Sequence, residues 1–106
     1  MTHELQGYQK RRLKAMAHDL KAAVLVGQKG VTSQIVQAID EALDAHELIK
    51  IKFIDVSEKS VKKELIDEIK EQTACFFVGM TGHVAILFRE RQDPEKRKIV
   101  LPERKT

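Results

Sequence analysis

The spacing of apolar residues switches repeatedly between the period of a helix and that of a strand. The order of those switches constrains the fold more than any other feature. Leu13, Met16, Ala17 and Leu20 recur at helical spacing, which predicts an amphipathic helix over roughly residues 5–20. Ala23–Val26 is a short apolar run closed by Gly27, the pattern of a buried strand. Thr32 offers an N-cap, and Ile35, Val36, Ile39, Ala42 and Leu43 form the apolar stripe of a second helix. Ile49, Ile51 and Phe53 alternate with Lys50 and Lys52 as in a half-buried strand. Ser57 is placed to cap a third helix that carries Val61, Leu65, Ile66 and Ile69 inward. Phe76, Val78 and Met80 alternate, Gly82 marks a turn, and Val84, Ile86 and Phe88 alternate again, which together read as a hairpin.

The resulting order is αβαβαββ. A crossover through a helix returns the chain in parallel, whereas the closing hairpin is antiparallel. The expected class is therefore α/β (α+β), with a mixed four-stranded sheet packed against helices. A basic tail over about residues 90–106 is expected to lie along the surface.

At 106 residues the chain is the size of one domain, so residues 1–106 are expected to form a single unit. No apolar run approaches a membrane span, and the first twenty residues lack the apolar stretch of a signal peptide. The lone Cys75 excludes an internal disulfide and suits a reducing compartment, so the expected location is the cytoplasm. The net charge of +3 is mild, but it is unevenly placed. Residues 1–30 hold six Lys or Arg against two acids, residues 31–60 three Lys against six acids, and residues 89–106 seven Lys or Arg against four acids. Such a polarised field steers a polyanion to one side, although an unevenly solvated surface would give the same counts.

Gly27-Gln28-Lys29-Gly30 stands between a strand and a helix N-terminus, where backbone N–H groups are unpaired and the helix dipole is positive. Glycine at each end allows close approach of a sugar–phosphate backbone, and Lys29 adds charge; KH-type domains clamp nucleic acid with such a GxxG loop. Glycines at these positions equally serve a simple turn. The first turn of the following helix, Thr32-Ser33-Gln34, has no carboxylate to occupy its positive end.

On the first helix Lys10, Arg11, Lys14, His18 and Lys21 fall on one flank, while Arg12 lies toward the far side with Asp19. A flank of nearly one sign suits phosphates better than intrahelical ion pairs. Lys50 and Lys52 project from the outer face of their strand and Arg89 ends the last one, either to contact RNA or to protect an edge. Phe77 alternates out of the core pattern. Too few rings accompany it for a base-stacking platform of the RRM kind.

Catalytic patterns are missing. His3, His18, His46 and His83 are scattered without metal-ligand spacing, and Ser57 and Ser60 sit in no nucleophile elbow. The glycine loop carries neither the full NTPase phosphate-loop signature nor GxGxxG. The expectation is a binder without enzyme activity, cofactor, metal or small-molecule substrate.

The chain resembles the CRM domain (chloroplast RNA splicing and ribosome maturation) in its free-standing bacterial form, the YhbY-type proteins. The stretches that carry the resemblance are Gln9-Lys10-Arg11-Arg12-Leu13, Ala17-His18-Asp19-Leu20-Lys21, Gly27-Gln28-Lys29-Gly30-Val31-Thr32, His46-Glu47-Leu48-Ile49-Lys50-Ile51-Lys52, Gly82-His83-Val84-Ala85-Ile86-Leu87-Phe88-Arg89 and Leu101-Pro102. It implies an αβαβαββ fold similar to the C-terminal domain of bacterial translation initiation factor three. It also implies RNA binding through the GxxG loop and neighbouring basic residues, and association with ribosomal RNA of large-subunit precursors. A general RNA chaperone or regulatory RNA binder would use the same surface. The chain departs from the family pattern at Ala22, where proline is frequent, at Phe77 and Gly79, where polar residues are common, and at Tyr8, where a basic residue is frequent.

Overall fold

The computed structural model describes residues 4–99. They form α1 (Gly7–Ala17), β1 (Ala22–Val26), α2 (Ser33–His46), β2 (Leu48–Phe53), α3 (Lys59–Thr73), β3 (Phe76–Thr81), β4 (Val84–Phe88) and a single 3-10 turn at Pro94–Lys96. The element order is the one the periodicities predict. The strands lie in the order β1-β2-β4-β3, with β1 parallel to β2 and the other pairs antiparallel. The α2 crossover accounts for the parallel pair, and Gly82, at φ +59°, turns the β3–β4 hairpin.

The sheet is covered on both faces, by different helices. Val24, Val26, Ile49, Ile51, Phe53, Ala85 and Leu87 face α2 and α3, where they meet Ile39, Leu43, Ile66 and Ile69. Leu48, Val78, Ile86 and Phe88 face α1 and meet Leu13 and Ala17. In β4, therefore, the main core lies under Ala85 and Leu87, between the alternating residues Val84, Ile86 and Phe88. Both sets have buried members because α1 takes up the second face.

Several local expectations are corrected. α1 stops at Ala17, and of its expected stripe only Leu13 and Ala17 are buried, with Met16 and Leu20 exposed. α3 is capped at Glu58, one residue after Ser57, and without a side-chain hydrogen bond. Its inward face takes Lys62 and Thr73 along with Ile66 and Ile69, while Val61 is exposed and Leu65 half-buried. In β3 the register shifts between Phe77 and Gly79. A bulge of this kind breaks strict alternation, so Phe77 and Met80 both pack toward the main core while Phe76 and Val78 serve the α1 side. Phe77 is thus a packing residue in part, and its outward alternation ends at the bulge. The Thr32 cap is as expected: its hydroxyl accepts from the Ile35 N–H at 3.2 Å.

The link from α2 to β2 is one residue, Glu47, at φ +63°. Its side chain is fully buried. One carboxylate oxygen accepts from the backbone N–H groups of Lys98 (2.6 Å) and Ile99 (3.1 Å), and the other from that of Arg91 (2.9 Å). Burial acts to raise the carboxyl pKa, but these three donors and the Arg91 charge outweigh it and hold the group below its ordinary value. Arg91 reinforces the latch through the Asp44 and Ala45 carbonyls at 2.8 and 2.6 Å. The segment after β4 is therefore pinned through residue 99, with Ile99 buried beside Leu13 and Phe88, where the sequence suggests only a surface tail. Leu101-Pro102 and the rest of that tail lie outside the described residues.

Candidate nucleic-acid interface

Gly27-Gln28-Lys29-Gly30 follows β1 directly, at the C-terminal ends of the parallel pair β1 and β2. This is the edge of an α/β sheet where ligands commonly lie. The Gly30 N–H donates to the Gly27 carbonyl at 3.0 Å and closes a turn, and the Gln28 amide donates to the Asp55 carbonyl at 3.4 Å. Gly30 is required by the fold, since its φ is +74° and a Cβ there would meet Leu65 Cδ2 at 3.4 Å. Gly27 is not. Its φ is not positive, and a Cβ there would enter open space. Lys29 is exposed and pairs with no group among the described residues.

Behind the loop, the Thr32 hydroxyl satisfies Ile35. Among the described residues no acceptor stands on the Ser33 or Gln34 N–H, and the first turn of α2 carries no acid. These two amides form an electropositive helix end.

α1 and the sheet enclose a groove of about 650 Å³ lined by Lys14, Lys21, Lys50 and Lys52, with His18 and Val84 among its other residues and no carboxylate. Lys21 reaches it from the turn after α1, since the helix has already ended. Lys14 lies across the β3 bulge at Gly79: a Cβ there would stand 2.5 Å from Lys14 Cε, so a larger residue would displace the end of this lysine. Lys50 donates to the His18 carbonyl at 2.9 Å and so places a cation on the negative end of α1. Lys52 is exposed and pairs with Leu25 of β1 and Val84 of β4, one register step from the strand ends at the loop. Lys10 and Arg11 continue the flank one turn back along α1. Arg12 is exposed but does not line the groove.

Arg89 is not brought to this face. It follows β4 at the opposite end of the sheet, where its guanidinium meets Asp40 at 2.5 Å and Asp44 at 2.9 Å and donates to the Thr73 and Asp40 carbonyls. Burial works against its charge, but the Asp40 hydrogen bond and the two carboxylates outweigh that and raise its pKa. Arg89 braces α2 against the end of α3. Arg89→Met is expected to lower stability by about 1 kcal/mol: the bond to the Thr73 carbonyl and the bridge between α2 and the end of α3 are lost, while water reaches the Asp40 and Asp44 carboxylates. RNA affinity of the folded variant should stay within about two-fold of the parent; thermal melts and anisotropy titrations check both.

Among the described residues no group of three His, Cys, Asp or Glu side chains could hold a metal ion. Cys75 is buried, which pushes its thiol pKa up and disfavours the thiolate. No helix of the described residues is long and apolar enough to cross a membrane. The lysines of α3, absent from the sites expected on sequence, line a separate groove against the hairpin. A run such as Lys62-Lys63 on a helix looks like a solvated face until the packing is known.

A family model described as the CRS1/YhbY (CRM) domain matches residues 5–89. The chain belongs to the CRS1/YhbY (CRM) family. The match takes in the glycine loop and the whole lysine groove of this CRM domain, and it ends at Arg89, before the segment that Glu47 pins. A Haemophilus influenzae relative named an RNA-binding protein is 36% identical over 94 residues, covering 89% of this CRM chain and 91% of its own. Bacillus subtilis YqeI, named a probable RNA-binding protein, is 33% identical over 98 residues, covering 92% and 99%. The CRM fold described above also matches the solution structure of a Staphylococcus aureus protein put forward as an RNA binder. The TM-score is 0.78 at 31% identity, covering 92% of this chain and 99% of that one.

Proposed function

We propose that this single-domain CRM chain is a cytoplasmic RNA-binding protein. In this reading it acts as an assembly factor on ribosomal RNA of the large-subunit precursor and performs no chemistry of its own. One observation carries the binding reading. Four lysines from α1, the following turn and β2 converge on one groove without a carboxylate, and that groove runs toward the glycine loop. Phosphates neutralise such a cluster, and the open Ser33 and Gln34 amides offer a further anion seat. Gly27, which the fold itself does not require, leaves room for a sugar–phosphate backbone. The relatives named for RNA binding support the same reading, and the resemblance to YhbY-type proteins supports the ribosomal target.

The electrostatic part is tested on Lys10, Arg11 and Lys14 changed together to glutamine. Each phosphate interaction removed lowers the slope of log affinity against log salt by about 0.7 on single-stranded RNA, so removing three lowers it by about 2. An unchanged slope in a folded triple variant would assign the α1 flank to solubility alone.

A further inference from the structure

α3 and the β3–β4 hairpin enclose a second groove, of about 680 Å³. Its floor is apolar, with Phe77 and Met80 half-buried. Its rim carries the exposed Lys59 and Lys63, its lining includes the buried Lys62, and Asp67 is the one acid among the lining residues. Lys62 is unusual. Only 4% exposed, its ammonium lies 2.8 Å from His83 Nδ1 and 3.4 Å from the Gly82 carbonyl, and no carboxylate among the described residues pairs with it. An ammonium has only hydrogens to give, so in this pair His83 Nδ1 is the acceptor. A buried cation held only by neutral acceptors is costly, and an outside anion lowers that cost.

The groove opens at the same end of the sheet as the glycine loop. The Phe53 N–H donates to the His83 carbonyl, the next N–H, of Ile54, donates to the Val26 carbonyl, and Gly30 faces Leu65 of α3. An occupant that joins these sites must be extended and anionic, with flat apolar groups for the floor. Single-stranded RNA has that chemistry: phosphates suit a lysine rim, and bases stack on aromatic and apolar side chains.

Building on the RNA-binding reading, we propose that the strand held at the glycine loop continues into the α3–hairpin groove, seating a base on Phe77 and Met80 with its phosphates along Lys59, Lys62 and Lys63. A glycine clamp holds about four nucleotides, so a tetranucleotide engages the loop alone and a dodecanucleotide reaches both sites. The test compares uridine tetramer and dodecamer binding to the parent, to Lys59→Glu with Lys63→Glu, and to the milder Lys59→Gln with Lys63→Gln. Both lysines are exposed, so the glutamine pair keeps the fold testable. The glutamate pair should weaken the dodecamer about ten-fold or more and leave the tetramer within about two-fold, with the glutamine pair intermediate. A dodecamer carrying 4-thiouridine should crosslink to the peptide containing Phe77 and Met80.

Equal dodecamer binding by parent and folded variants, or a crosslink confined to other peptides, would overturn the groove. So would a polyglutamate peptide that needs Lys59 and Lys63 while RNA does not, which would mark a protein partner. Failure of the loop reading looks different: tetramer binding would then resist loop substitutions, whatever the α3 variants do.

Discussion

Glu47→Ala is expected to lower the melting temperature by about 15 °C. The substitution leaves the Arg91, Lys98 and Ile99 N–H groups without their acceptor in a buried setting and releases the segment that brings Ile99 onto Leu13 and Phe88. Loss of a buried charged acceptor with several donors costs about 3 kcal/mol, and each kcal/mol moves the midpoint of a domain this size by roughly 4–8 °C. Glu47→Gly separates two contributions. It loses the same carboxylate but relieves the φ of +63°, a strain of order 1 kcal/mol, so it should melt above the alanine variant.

The pH dependence has a definite sign. The folded carboxyl sits below its ordinary value, so the stabilisation is fully present above the unfolded pKa of about 4.3 and is lost as pH falls through the folded pKa. Glu47→Gln, which keeps the shape but turns N–H donors toward N–H donors, should be less stable than the parent at neutral pH. That difference should shrink below about pH 4. A difference that stays constant across this range in chemical denaturation would assign the latch to packing.

The order and type of the helices and strands were legible because the apolar period changes from one segment to the next, and three of the changes are marked by a glycine or a cap, at Gly27, Thr32 and Gly82. What escaped was set by packing between segments. The bulge that brings Phe77 and Met80 to one face has no local signature beyond Gly79, whose role appears only when Lys14 is seen lying across it. Lys62 replaces Val61 on the inner face of α3 because His83 and the Gly82 carbonyl receive its ammonium, and both come from the distant hairpin. Glu47 looks like any surface acid in His46-Glu47, since its partners lie 44 to 52 residues away. The convergence of Lys14, Lys21, Lys50 and Lys52 was legible in kind, as cations on one flank and one strand face. Their shared groove needed the sheet to bring them together, and the same sheet carries Arg89 to the opposite end.

Gln28→Asp combined with Lys29→Asp is expected to lower RNA affinity by about ten-fold or more while leaving the fold intact. Both glycines remain, so the Gly27–Gly30 turn still closes, and the substitution removes one weak hydrogen bond, the 3.4 Å link from Gln28 to the Asp55 carbonyl. Acids near the α2 N-terminus are favourable by roughly 0.3–1 kcal/mol, so melting should hold within about 2 °C of the parent. The same two charges occupy the ground where a phosphate would meet the Ser33 and Gln34 amides. Lys29→Asp alone, which keeps the Gln28 bond, should move affinity in the same direction with a smaller amplitude. Paired measurement of melting temperature and RNA affinity on the parent and these two variants tests the phosphate clamp most directly. The expected result is an unchanged melt with affinity falling stepwise from parent to single to double variant; variants that melt like the parent and bind RNA as tightly would contradict it.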